Sequence, residues 1–199
     1  MNYLVHLYLS DPDPEVRLGN LVGDFVKGRL EGRGFSVGFL RGLRQHRAVD
    51  SFSHTSQAVR NSKRRLRAQF RIYKPILVDI YYDHLLAAHW QEFHRQPLVE
   101  FAADTYRLFE LYADILPVEF RLVAKRMASR DWLSSYADLS VVPLVLQRIG
   151  ERVRGGEILR KGACDLEWQY PELLSDCRRF LKDARSWLDA EMGVGQEEL

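Results

Sequence analysis

The chain predicts an all-α fold, a single compact helical domain over residues 1–192, and three observations carry that expectation. Apolar residues recur at helical spacing, as in Leu173, Leu174, Cys177, Phe180, Leu181, Ala184, Trp187 and Leu188; this i, i+3, i+4, i+7 stripe marks an amphipathic helix. Strand alternation is thin, confined to a partial pattern at Tyr3–Leu9. No repeat, low-complexity tract or long linker interrupts the 199 residues. Such a length suits one domain that buries roughly 70% of its unfolded surface.

Taken in order, Tyr3–Leu9 declares no clear period. Glu15–Leu30 reads as a helix although it contains Gly19, Gly23 and Gly28. A glycine inside a helix costs about 1 kcal/mol, so this run implies a backbone that another segment approaches closely, or a site. Val37–Ser53 and Ala58–Phe70 read as helices too. Tyr73–Trp90 is apolar nearly all round, the signature of a buried helix. Phe101, Leu108, Phe109, Tyr112 and Leu116 form the next stripe, closed by Pro117, and Glu119–Ala128 another. Val141, Val142, Val145, Ile149 and Val153 form one that stops at Gly155-Gly156, as helices do before glycine. The polar tail 193–199 reads as frayed.

Composition excludes several classes. Apolar content of 46% with 28% charged residues is ordinary for a soluble globular protein, and a net charge of +2 points to no partner class. Cys164 and Cys177 form no CxxC and stand apart from the histidines, which removes the zinc-finger and disulfide-framework readings. Cys177, on an apolar stripe, reads as a small core residue, and this usage fits a reducing cytoplasm. The start, MNYLVHLYLSDPDPE, lacks the basic region of a secretory signal and is too short and polar to span a bilayer. A soluble cytoplasmic protein with no membrane partner is the expectation.

Three segments place acids and imidazoles on helical faces. In Tyr73–Trp90, Asp79 and Asp83 project from the same side as Ile76, Ile80, Ala87 and Trp90, and His84 follows directly. An ionised carboxylate isolated in such a place is very costly, so it is paired, protonated or bound to a metal. In GLRQHRAVDSFSHT, i,i+4 spacing points His46 and Asp50 the same way; on spacing alone the pair also suits an exposed face. In LGNLVGDFVKG, Asn20 and Asp24 share a face. Mixed imidazole and carboxylate donors suit a catalytic divalent cation, Mn²⁺, Fe²⁺ or Mg²⁺, better than a structural zinc. His6, in an apolar N-terminal run, is a further candidate, though a lone histidine there is more often a core residue. His89 and His94 read as structural or solvated.

Arg60–Arg71, RNSKRRLRAQFR, carries six basic residues in twelve and no acid. It reads either as a solvated helix face or as a docking patch for an anionic partner. Stacking aromatics are not interleaved with its cations, so nucleic acid is not the expected partner.

MNYLVHLYL, LGNLVGDFVKG, GLRQHRAVDSF, DIYYDHLLAAHW and WLSSYAD, running in this order from Met1 to about Asp138, resemble the bacterial acyl carrier protein phosphodiesterases. The resemblance implies an all-helical, HD-domain-like fold. It implies a phosphodiesterase of fatty-acid and lipid metabolism that uses a divalent cation, commonly Mn²⁺. The activity it implies is hydrolysis of the 4′-phosphopantetheine arm from holo acyl carrier protein. Carried over by motif, Asp24 is the foremost functional position. His46, Asp50, Asp79, Asp83 and His84 join it as a group of ligands, with His46 or His84 placed to act as general acid. Carrier proteins of this kind are acidic, which makes Arg41, Arg44, Arg60, Lys63, Arg64 and Arg67 the expected docking cations. Two rival readings share these residues. One is an HD-type phosphohydrolase acting on a nucleotide or other small phosphate ester. The other is a non-catalytic helical module that binds through residues 60–71.

Overall fold

The structure, a computed structural model, describes residues 2–193; the predicted frayed tail lies outside the described residues apart from Gly193, the last residue of the final helix. The chain is all-α, as expected, with no strand among the described residues. Among the described residues eleven α-helices follow in order: α1 (Tyr3–Leu9), α2 (Pro14–Val22), α3 (Val37–Thr55), α4 (Gln57–Arg65), α5 (Lys74–Ala88), α6 (Leu98–Leu111), α7 (Val118–Ser129), α8 (Trp132–Ser135), α9 (Val141–Gly150), α10 (Gly162–Trp168) and α11 (Tyr170–Gly193). No helix among the described residues is long and apolar enough to cross a membrane.

Local chemistry explains most of the boundaries. Asp13 caps α2 by accepting the backbone N–H groups of Glu15 and Val16, with Pro14 opening the helix. Pro97 and Pro117 precede α6 and α7, where a missing N–H costs nothing. The helix expected over Glu15–Leu30 ends early. A 3₁₀ turn at Gly23–Phe25 follows α2, Val26 leaves helical dihedrals at ψ 89°, and Gly28 takes φ +77°. Tyr3–Leu9, ambiguous in sequence, is helical with Leu4, Val5, His6, Leu7 and Leu9 all buried.

Two compact units divide the chain, and both are built from separated segments. The first takes residues 49–85 and 138 onward; the second takes 3–48 and 86–137, so the division falls inside α3 and α5. In the first unit α5 is buried on nearly every side, with Leu77, Val78, Tyr81, Tyr82 and Leu85 at 0% exposure. Tyr82 and Phe180 pack at 5.6 Å between ring centroids, and Phe52 stacks on Trp187 at 5.1 Å. The long stripe of α11 lies inward as predicted: Leu173, Cys177, Phe180, Leu181, Ala184 and Leu188 are buried. In the second unit α2 and α3 approach so closely that a Cβ on Gly19 would stand 2.3 Å from the Phe39 carbonyl oxygen. One on Gly42 would stand 2.1 Å from that of Val16. Any side chain at either position would force the two helices apart.

Candidate metal centre

The second unit builds its centre from α1, α2 and α3. His6 and His46 are 2% and 4% exposed, and their rings stack with centroids 4.0 Å apart and planes 15° from parallel. Gly23 makes room for this arrangement, since a Cβ there would lie 2.2 Å from His46 Cγ and 2.4 Å from Cδ2. Asn20, wholly buried, joins both rings. Its Oδ1 accepts from His6 Nδ1 at 3.0 Å, and its main-chain carbonyl accepts from His46 Nδ1 at 2.7 Å. With both Nδ1 atoms so engaged, Nε2 is the nitrogen each ring offers to a ligand.

Asp50 stands one helical turn beyond His46 on α3. Although the division between units falls at residue 48, α3 runs through it unbroken, so the helix itself sets Asp50 relative to His46. One ligand atom each from His6, His46 and Asp50 lie within 4.8 Å of one another. Two imidazoles and one carboxylate make a mixed nitrogen and oxygen donor set, which is compatible with a divalent cation. That set fits the residues present.

Asp24 sits at the rim. Its side chain is 61% exposed, and Oδ1 lies 3.8 Å from His46 Nε2 and 3.5 Å from Lys27 Nζ. The 3₁₀ turn that carries it is held on one side by Phe25, packed edge-on against Phe120 at 5.2 Å. On the other side Arg47 donates to the carbonyls of Val26 and Gly28 at 3.2 and 2.7 Å. The loop after Asp24 is thereby tied back to α3.

Asp79, Asp83 and His84 lie in the first unit on α5. Asp83 is 0% and His84 1% exposed, whereas Asp79 is half-buried. His84 meets Tyr170 edge-on at 5.8 Å. Burial, and after it the charge of Asp83, pushes the Cys177 thiol well above the usual range. The structure therefore groups His46 with Asp50, Asp24 and His6, and carries Asp79, Asp83 and His84 together on α5. His6 is at once the core residue and the candidate donor that its setting allowed. Asn20 and Gln45, which hold the pair, had only the spacing of Asn20 to Asp24 to announce them.

The basic segment is partly neutralised from within the first unit. Asp176 accepts from Arg65 at 2.9 Å and from Ser62 at 3.1 Å. Asp165, 2% exposed, takes both the backbone and the side-chain N–H of Arg67. Arg60 donates to the Thr55 carbonyl, Arg64 is exposed and Lys63 half-buried. On α3, Arg41 pairs with Asp11 at 3.1 Å, and Arg44 is exposed.

Comparison with known proteins gives a consistent result. A family model described as acyl carrier protein phosphodiesterase matches residues 1–184. The acyl carrier protein phosphodiesterase of Pectobacterium atrosepticum is 31% identical over 171 residues, spanning 85% of this chain and 88% of the relative. That of Klebsiella pneumoniae is 29% identical over 181 residues, 90% and 93% of the two chains. That of Photorhabdus laumondii is 30% identical over 173 residues, 86% and 87%. No solved structure matches the chain. The match spans segments of both compact units and every candidate site residue, and the chain belongs to the acyl carrier protein phosphodiesterase family.

Proposed function

We propose that this chain is a divalent-cation-dependent phosphodiesterase that releases 4′-phosphopantetheine from holo acyl carrier protein, leaving the apo carrier. Family membership supports the substrate. The observation that carries the chemistry is the meeting of His6, His46 and Asp50 beside the exposed carboxylate of Asp24. Residues 1–192 are read as one phosphodiesterase domain, working in the cytoplasm.

His6, His46 and Asp50 would hold the cation, Mn²⁺ in the first instance. Such an ion polarises a phosphoryl oxygen and lowers the pKa of bound water. Asp24 Oδ1, at the solvent edge, takes the proton from the water that attacks phosphorus. The bond from phosphorus to the carrier serine oxygen breaks, that oxygen gains a proton, and the phosphate leaves on the pantetheine arm. Burial of His6 and His46 keeps water from competing for their Nε2 lone pairs. The α5 trio Asp79, Asp83 and His84 belongs to the same proposal as a second acid–imidazole group, with His84 as a proton donor. Arg60, Lys63 and Arg64 on α4, with Arg41 and Arg44 on α3, would steer an acidic carrier by long-range attraction.

The test is to incubate the purified protein with holo carrier and Mn²⁺ and weigh the carrier by mass spectrometry. The expected result is loss of the phosphopantetheine mass, abolished by chelation and restored by added metal. Turnover that survives exhaustive chelation would refute the cation. Hydrolysis confined to nucleotides or small esters would refute the carrier.

A further inference from the structure

We propose that Asn20 is the positioning residue of this centre, setting both histidines in the Nδ1–H tautomer through two different oxygens of one residue. The inference rests on the reading of His6 and His46 as cation ligands.

The hydrogen-bond chain leaves one assignment. Gln45 donates from Nε2 to the Leu9 carbonyl at 3.1 Å, so its Oε1 faces Asn20. Asn20 Nδ2 donates to that Oε1 at 3.1 Å and to the His6 carbonyl at 3.0 Å. A flipped Asn20 would set its oxygen against two acceptors, so the amide has one orientation and Oδ1 faces His6 Nδ1. An amide oxygen only accepts; His6 Nδ1 therefore carries a proton, and Nε2 is the nitrogen through which a neutral ring would present its lone pair. The main-chain carbonyl of Asn20 only accepts as well, so His46 Nδ1 is protonated by the same logic. Asn20, Gln45, His6 and His46 are each 6% exposed or less, so water does not compete for these bonds. Partners of this kind orient ligating histidines and fix which nitrogen is offered.

The two bonds separate under mutation. In Asn20→Leu the side-chain acceptor for His6 is lost, while the peptide oxygen that holds His46 remains. The readout is the tautomer of each imidazole, from nitrogen–proton correlation spectra of metal-free protein at a pH above the histidine range. Mn²⁺ affinity by chelator competition is measured beside it.

The expected result is Nδ1–H on both rings in the wild type. In Asn20→Leu, His6 alone shifts toward the Nε2–H form and Mn²⁺ binds about 10- to 100-fold more weakly. An Nε2–H tautomer on either ring in the wild type overturns the inference without any variant. An unchanged His6 tautomer in Asn20→Leu overturns it too. Should Asn20→Leu fail to fold, the wild-type spectra and those of Gln45→Met decide, the latter because it frees the Asn20 amide to turn. Correct tautomers in a protein that binds no Mn²⁺ would instead sink the cation reading and leave the role of Asn20 standing.

Discussion

Gly23→Ala is the perturbation whose effect the structure sizes best. The added Cβ would stand 2.2 Å from His46 Cγ, 2.4 Å from Cδ2 and 2.7 Å from its Cβ. Ordinary carbon contacts lie near 3.5 Å, so the ring must retreat by roughly 1.3 Å. Rotation about χ1 does not relieve the clash, because His46 Cβ moves only with α3 itself. Stacked on His6 and 4% exposed, the ring has no space behind it. Overpacking of this sort costs about 1–3 kcal/mol, a fall in Tm of about 2–12 °C for a chain of this length. A displacement near 1 Å at a reacting centre costs about 100-fold in rate. Turnover of holo carrier protein and Mn²⁺ affinity should therefore drop far more than stability does. Gly162→Ala is the matched control, since its Cβ would meet Leu77 Cδ2 at 2.5 Å and the Tyr81 hydroxyl at 2.9 Å in the other unit. It should lower Tm comparably and spare Mn²⁺ affinity. A folded Gly23→Ala protein with wild-type affinity and turnover would refute the placement of His46 in the site.

Three further outcomes follow from particular contacts. Asp24→Asn should abolish turnover with little change in the melting curve, because the side chain is 61% exposed; thermal melts and carrier mass analysis check both halves. Asp165→Ala should cost about 2 kcal/mol in urea unfolding, since it strands the part-buried Arg67 backbone N–H. The figure stays below that of a fully buried pair because the Arg67 side chain is 40% exposed and keeps water. Native protein should react with a thiol reagent at Cys164 only, which is exposed, while Cys177 is wholly buried with its thiolate disfavoured. Both should react in denaturant, and peptide mapping assigns them.

Where a helix has one wet face, its sequence declares it. The stripes of α9 and α11 could be read directly; α11 runs to Gly193, and α9 ends at Gly150, short of the Gly155-Gly156 pair expected to stop it. Burial on all sides erases that record. Helix α1 buries five of its seven residues, so it shows no period, and its partial alternation imitates a strand. The overshoot of α2 has another cause. Its three glycines invite one explanation, close packing, and that holds for Gly19 and Gly23, whereas Gly28 takes φ +77° and turns the chain out of helix.

The same distinction governs the site. His46 and Asp50 were legible because a helix places residues four apart on one face, whatever surrounds them. Asp24 was legible as an acid among glycines. His6 was not separable from a core histidine, because it is one, and its second task depends on a neighbour 40 positions away. Asn20 was legible only as a polar residue on the face of Asp24, since half of its work is done by its peptide oxygen. Sequence patterns record side chains, and the fold alone decides which carbonyl meets which imidazole. Any residue at position 20 can hold His46 in its tautomer, and only one with an acceptor at that reach can hold His6. It follows that His46 is the more robust of the two donors to substitution in α2, and that tolerance at position 20 measures how much the centre depends on His6.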